Sequence, residues 1–86
     1  MPERTVRIAS RSGLHARPAA LFSEAAAALG VPVTVTNAAG STVDAASILG
    51  ILTLGADHGQ EVVLRSESAE AVDALAAMLA RDLDDE

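Results

Sequence analysis

The chain has 86 residues, half of them hydrophobic and none of them cysteine. That predicts one domain spanning residues 1–86, hiding about 60–65% of its unfolded surface, with no disulfide or zinc–thiolate site. A formal charge of −6, six scattered arginines and a single aromatic, Phe22, argue against nucleic acid, which asks for clustered cations and aromatic platforms.

The opening "MPERTVRIAS" lacks the continuous apolar stretch of a secretory signal, and no run approaches the ~20 apolar residues of a membrane span. A cytoplasmic protein with no membrane partner is the expectation. Along the chain, Glu3 to Ser10 alternates, with Val6 and Ile8 on one face, and predicts a half-buried strand. After the "RSG" break, Ala16 to Leu29 is alanine-rich with Phe22, Ala26 and Leu29 at helical spacing, and Gly30 supplies the stop. "VPVTVTN" predicts a strand with Val31, Val33 and Val35 on one face, and Pro32 is tolerated at its start. "NAAG" reads as a hairpin turn into the short strand "STVDA". Ser47 suits the N-cap of a short helix, "ILGILTL", ending near Gly55. "ADHG" then turns the chain into a strand over residues 60–66 with Val62 and Leu64 on one side. Ser68 caps a last helix, with Glu70 in its first turn and a stripe of Val72, Leu75, Leu79 and Leu83. The acidic end "RDLDDE" reads as a solvated helix terminus.

The predicted order is βαββαβα, an α+β fold. Two parallel strands joined by a crossover helix leave room for a third between them, the split βαβ unit of ferredoxin-like folds. One face of a four-stranded antiparallel sheet then carries three helices and the other meets water. No repeat, linker or low-complexity segment interrupts this.

The chemistry-bearing motifs are few. There is no Walker loop, no lysine to complete one, no GxGxxG after a strand and no GxSxG elbow. The two histidines, His15 and His58, lie far apart in unlike contexts, so no metal site is expected. What is left is "SGLHARPAALF", Ser12 to Phe22, which puts His15 at a helix start. The first N–H groups of a helix lack internal acceptors and the macrodipole adds positive potential, so that end attracts anions. Arg17 can fork onto phosphate oxygens, and Pro18 fits the first turn, where its missing N–H costs nothing. Gly13 lets the strand-to-helix turn bend sharply. These parts fit a histidine that accepts a phosphoryl group and releases it. On position alone they fit better a structural histidine that caps a helix beside a surface arginine.

"GLHARPA" resembles the active-site motif of the HPr family, the histidine-containing phosphocarriers of the bacterial sugar phosphotransferase system. "AASILGILTLGADHG" is similar to that family's regulatory-serine segment, with Ser47 at the serine. The resemblance covers nearly the whole chain, and the family's open-faced β-sandwich has the same βαββαβα order. Ala46 departs from it, standing where many members carry lysine.

The resemblance implies that His15 is phosphorylated through Nδ1, receiving phosphate from phosphorylated Enzyme I and giving it to IIA components of sugar permeases. Arg17 would stabilise the phosphoryl group. Ser47 would match the serine that an ATP-dependent kinase/phosphorylase modifies in some members. Ser12, Arg17, Leu21, Ile48, Leu49 and Leu52 would form the docking surface. Such a protein is a stoichiometric, monomeric carrier rather than an enzyme, and it needs no cofactor. A nitrogen-related branch of the system shares the motif. A catalytically silent relative would lack His15, and a ferredoxin-like ligand-binding module would give "GLHARP" no role.

Overall fold

The structure, a computed structural model, describes residues 2–81. Its elements run β1 (Glu3–Arg7), α1 (Ala16–Leu29), β2 (Thr34–Thr36), β3 (Thr42–Asp44), α2 (Ile48–Leu54), β4 (Glu61–Arg65) and α3 (Ala69–Leu79). The predicted βαββαβα order is confirmed. The four strands form one antiparallel sheet in the order β1-β4-β2-β3. β4 therefore fills the gap between β1 and β2, as the split βαβ unit requires.

Alternation decides which face is covered. Val35 lies opposite Leu64 and Val43, and Val62 opposite Val6. Val35, Val62 and Leu64 are fully buried beneath the helices, with Ile8, Phe22 and Leu75. α3 packs on β1 and β4, α2 on β3, and α1 on both other helices. Arg4 shares the helix face at the margin, and its guanidinium reaches Asp73 of α3 at 2.7 Å. The opposite face is wet, with cross-strand pairs Glu3–Arg65, Arg7–Glu61 and Thr36–Thr42. Such pairs hold a sheet together without a second layer.

The helix ends follow their sequence signals. Ser47 Oγ accepts from Gly50 N–H at 3.1 Å and Ser68 Oγ from Ala71 N–H at 3.2 Å. Gly30 and Gly55 close α1 and α2 in the left-handed region. In the hairpin, Asn37 Oδ1 accepts from Ser41 N–H and Gly40 N–H donates to Asn37 O. No helix among the described residues is long and apolar enough to cross a membrane.

Some details differ from expectation. β1 ends at Arg7 rather than Ser10, because Ala9 N–H turns from the sheet to Leu79 O at the end of α3. β2 begins at Thr34, so Val31, expected on the buried face, is 38% exposed. Pro32 has no N–H to give the ladder, and its carbonyl is taken by Ser66 Oγ at 2.7 Å. Leu29, at the last position of α1, is also 38% exposed, while Phe22 and Ala26 on the same stripe are buried. Leu83 and the acidic terminus lie outside the described residues.

Candidate functional site

The site grows from the segment that leaves β1. Gly13 N–H donates to Ser10 O at 2.9 Å, folding residues 10–13 into a turn. Leu14 N–H then donates to Ala56 O at 2.8 Å, and the Leu14 side chain is fully buried. The two segments touch so closely that a Cβ on Gly13 would lie 2.7 Å from Ala56 O and 2.8 Å from Asp57 Cα. Gly13 also has φ +76°, where side chains are disfavoured. His15 thus enters α1 from a turn clasped to the α2–β4 connection.

His15 is the N-cap of α1, with extended backbone, but its ring caps nothing. Nε2 lies 3.1 Å from Asp57 Oδ1 instead. Among the described residues Nδ1 has no hydrogen-bond partner, and the side chain is 40% exposed. A histidine present only to cap the helix would point to the N–H groups of the first turn. Those groups stay open: Pro18 has none, and the first backbone bond within α1 is the long one from Ala19 N–H to His15 O at 3.5 Å. Among the described residues the N–H groups of Ala16 and Arg17 make no hydrogen bond, and they lie at the positive end of a 14-residue helix.

Two features had no signal in the sequence. Asp57 reaches His15 across 42 positions of chain, a pairing only the fold makes. Ala16 has φ +49°, the one non-glycine residue with positive φ among those described. An alanine held there costs about 1–2 kcal/mol, set at the joint between His15 and Arg17.

The other predicted positions fall on the turn before α1 and on α1 and α2 with the α2 cap. Arg17 and Ser12 are exposed and Leu21 half-buried. Arg17 has no carboxylate partner among the described residues. On α2, which packs against α1, Leu49 is 74% exposed, with Ile48 and Leu52 at 37% and 39%. Large apolar side chains so placed form a patch of the kind that marks an interface. Ser47 caps that same helix. His58 lies exposed in its turn, and its Nδ1–H donates to Ser10 O at 3.2 Å. No group of three His, Asp or Glu side chains among the described residues is placed to hold a metal ion.

Comparison with known proteins agrees with this arrangement. Residues 2–81 match the family described as "PTS HPr component phosphorylation site". The phosphocarrier protein HPr of Streptomyces coelicolor is 51% identical over 88 aligned residues, covering 99% of this chain and 95% of that one. The crystal structure of HPr-C-His from Thermoanaerobacter tengcongensis superposes with a TM-score of 0.90 at 37% identity, covering 100% of this chain and 99% of the other. An HPr of Bacillus anthracis superposes with a TM-score of 0.83 at 34% identity, over 91% of this chain and 95% of that one. With the helix-start histidine, the open-faced sheet and a family match over nearly its full length, this chain belongs to the HPr phosphocarriers of the phosphotransferase system.

Proposed function

We propose that His15 takes a phosphoryl group from phosphorylated Enzyme I and passes it to IIA components of sugar permeases in the cytoplasm, the chain acting as a monomeric carrier without a cofactor. The observation that carries this is the state of the His15 ring: it sits at a helix start, leaves the cap unfilled, and has no partner at Nδ1 among the described residues. The Nδ1 lone pair attacks phosphorus. The open N–H groups at the start of α1 and the Arg17 guanidinium supply donors for the oxygens. Incubation with phosphoenolpyruvate and Enzyme I, followed by intact mass, tests it. One acid-labile phosphate is expected, and no gain in mass overturns the proposal.

Arg17 stabilises charge on the group in flight, as positioned cations do in phosphoryl transfer. Arg17→Ala slows transfer roughly 10- to 100-fold, with little change in melting temperature because the side chain is exposed and has no carboxylate partner among the described residues. Arg17→Lys recovers part of the rate, since an ammonium lacks the bidentate fork. Rapid-quench transfer rates at matched Enzyme I measure this, and equal rates for wild type and Arg17→Ala remove Arg17 from the mechanism.

The apolar patch on α2 docks partners, together with Ser12, Arg17 and Leu21, and Ser47 beside it is the site for a serine kinase/phosphorylase. A phosphate on Ser47 sits well with the start of α2 but places about two negative charges beside Ile48, Leu49 and Leu52. Ser47→Asp, a good cap, keeps the melting temperature and slows transfer from Enzyme I severalfold by repulsion at the interface. Ser47→Ala costs about 1 kcal/mol of stability by losing the bond from Gly50 N–H and leaves the rate unchanged. An unchanged rate in Ser47→Asp reduces Ser47 to a helix cap.

A further inference from the structure

The carboxylate beside His15 is held too well to be incidental. Asp57 lies in the turn between α2 and β4, and that turn is tied to the β1–α1 segment on both sides. Leu14 N–H donates to Ala56 O at 2.8 Å, Gly59 N–H to Ile8 O at 2.9 Å, and Ile8 N–H to Gln60 O at 2.9 Å. Within the turn, Asp57 N–H donates to Gln60 Oε1 at 2.9 Å and Gln60 N–H returns a bond to Asp57 O at 3.1 Å. Gly13, without a side chain, lets the two backbones meet. The carboxylate is therefore aimed by five backbone-anchored bonds and one close approach. It meets Nε2, the ring nitrogen on the far side from the unpartnered Nδ1.

Resting on the phosphocarrier role proposed above, we infer that Asp57 is a positioning residue for His15, holding the proton on Nε2 and the ring in one orientation so that Nδ1 presents its lone pair. An ionised carboxylate can only accept, so the ring nitrogen it touches is the one bearing hydrogen. In a neutral imidazole the other nitrogen then carries the lone pair. During transfer that lone pair forms the N–P bond, while the bond from phosphorus to the donor's leaving atom breaks and its electron pair stays with the donor. The proton remains on Nε2, and the ring gains positive charge. Asp57 faces that charge across a hydrogen bond that strengthens as it develops, so it lowers the barrier to phosphoryl uptake. His58 cannot substitute, because its ring is turned to Ser10 O.

Asp57 and His15 are both partly exposed, at 68% and 40% for the side chains, and water competes for the bond. The expected effect is accordingly moderate. Asp57→Ala slows transfer from phosphorylated Enzyme I about three- to tenfold, Asp57→Asn loses less, and Asp57→Ser resembles Asp57→Ala. The second readout is the pair of ¹⁵N shifts of the neutral His15 ring in the unphosphorylated protein. Wild type shows Nε2 protonated and Nδ1 bare, and Asp57→Ala shifts both resonances toward the averaged values of a freely exchanging ring. Both must move together. A slower rate with unchanged ring shifts assigns Asp57 to partner contact, and changed shifts with an unchanged rate make the bond irrelevant to transfer; either overturns the inference. If wild type itself takes no acid-labile phosphate, the carrier role fails, while the ring shifts still report whether Asp57 sets the tautomer.

Discussion

His15→Ala takes up no acid-labile phosphate from Enzyme I and melts within a few degrees of wild type. The stability half follows from what the ring does not do. It makes no cap bond and is 40% exposed, so its removal leaves the core and the backbone bonds of the turn as they were. The catalytic half follows from the lack of a second acceptor. The His58 ring lies in a turn, away from any helix start, with Nδ1–H given to Ser10 O. Ser47 Oγ is a hydroxyl engaged as the α2 cap, accepting from Gly50 N–H. Neither offers an unprotonated nitrogen beside open N–H groups and an arginine. Intact mass after incubation with phosphoenolpyruvate and Enzyme I decides the matter, and acid-labile phosphate on His15→Ala at the wild-type rate moves the site elsewhere.

Gly13→Ala is the most damaging small substitution in the chain. Two costs add there. A side chain at φ +76° is strained by about 1–2 kcal/mol. Its Cβ would also meet Ala56 O at 2.7 Å and Asp57 Cα at 2.8 Å. Both are backbone atoms that cannot rotate away, so the turns must separate, at a further cost of about 1–3 kcal/mol. Together these predict a loss of roughly 2–5 kcal/mol and a fall in melting temperature of roughly 8–40 °C for a domain of this size. Gly40→Ala is the control, with φ +92° and nothing within 4 Å of the added Cβ. It bears only the backbone cost. Thermal denaturation followed by circular dichroism compares them, and equal losses mean that the close approach contributes nothing. The folded fraction of Gly13→Ala also transfers phosphate slowly, because the same wedge pushes Asp57 away from His15.

Legibility in the sequence tracked the range of the interaction. The caps at Ser47 and Ser68 and the stops at Gly30 and Gly55 are local, set by side chains within three residues of the bond they make, and each was readable. The topology followed from alternating valines and the one place a fourth strand could enter. Val31 misled because alternation continues through Pro32, whereas pairing waits for residues that can donate. At the site, the helix start, Arg17 and Pro18 were visible as neighbours of His15. Asp57 was not, since it arrives through a turn forty-two positions away and nothing in "ADHG" marks a carboxylate for an imidazole. The φ of +49° at Ala16 was equally hidden, because alanine carries no signal for the left-handed region.

The sheet order β1-β4-β2-β3 leaves two strands with one side unpaired. Such edges invite a second copy to add its own strand, the first step toward aggregation. Here the β3 edge is three residues long and ends in Asp44, too short to hold a partner by main-chain bonds. The β1 edge carries Glu3, Arg4 and Arg7 in five positions, charges that an incoming strand would have to strip of water. Both edges are blunted. Contact with other proteins is thereby diverted from backbone to side chains, among them the exposed Ile48, Leu49 and Leu52 of α2. Side-chain contacts of that size are made and broken quickly, whereas an added strand would hold on.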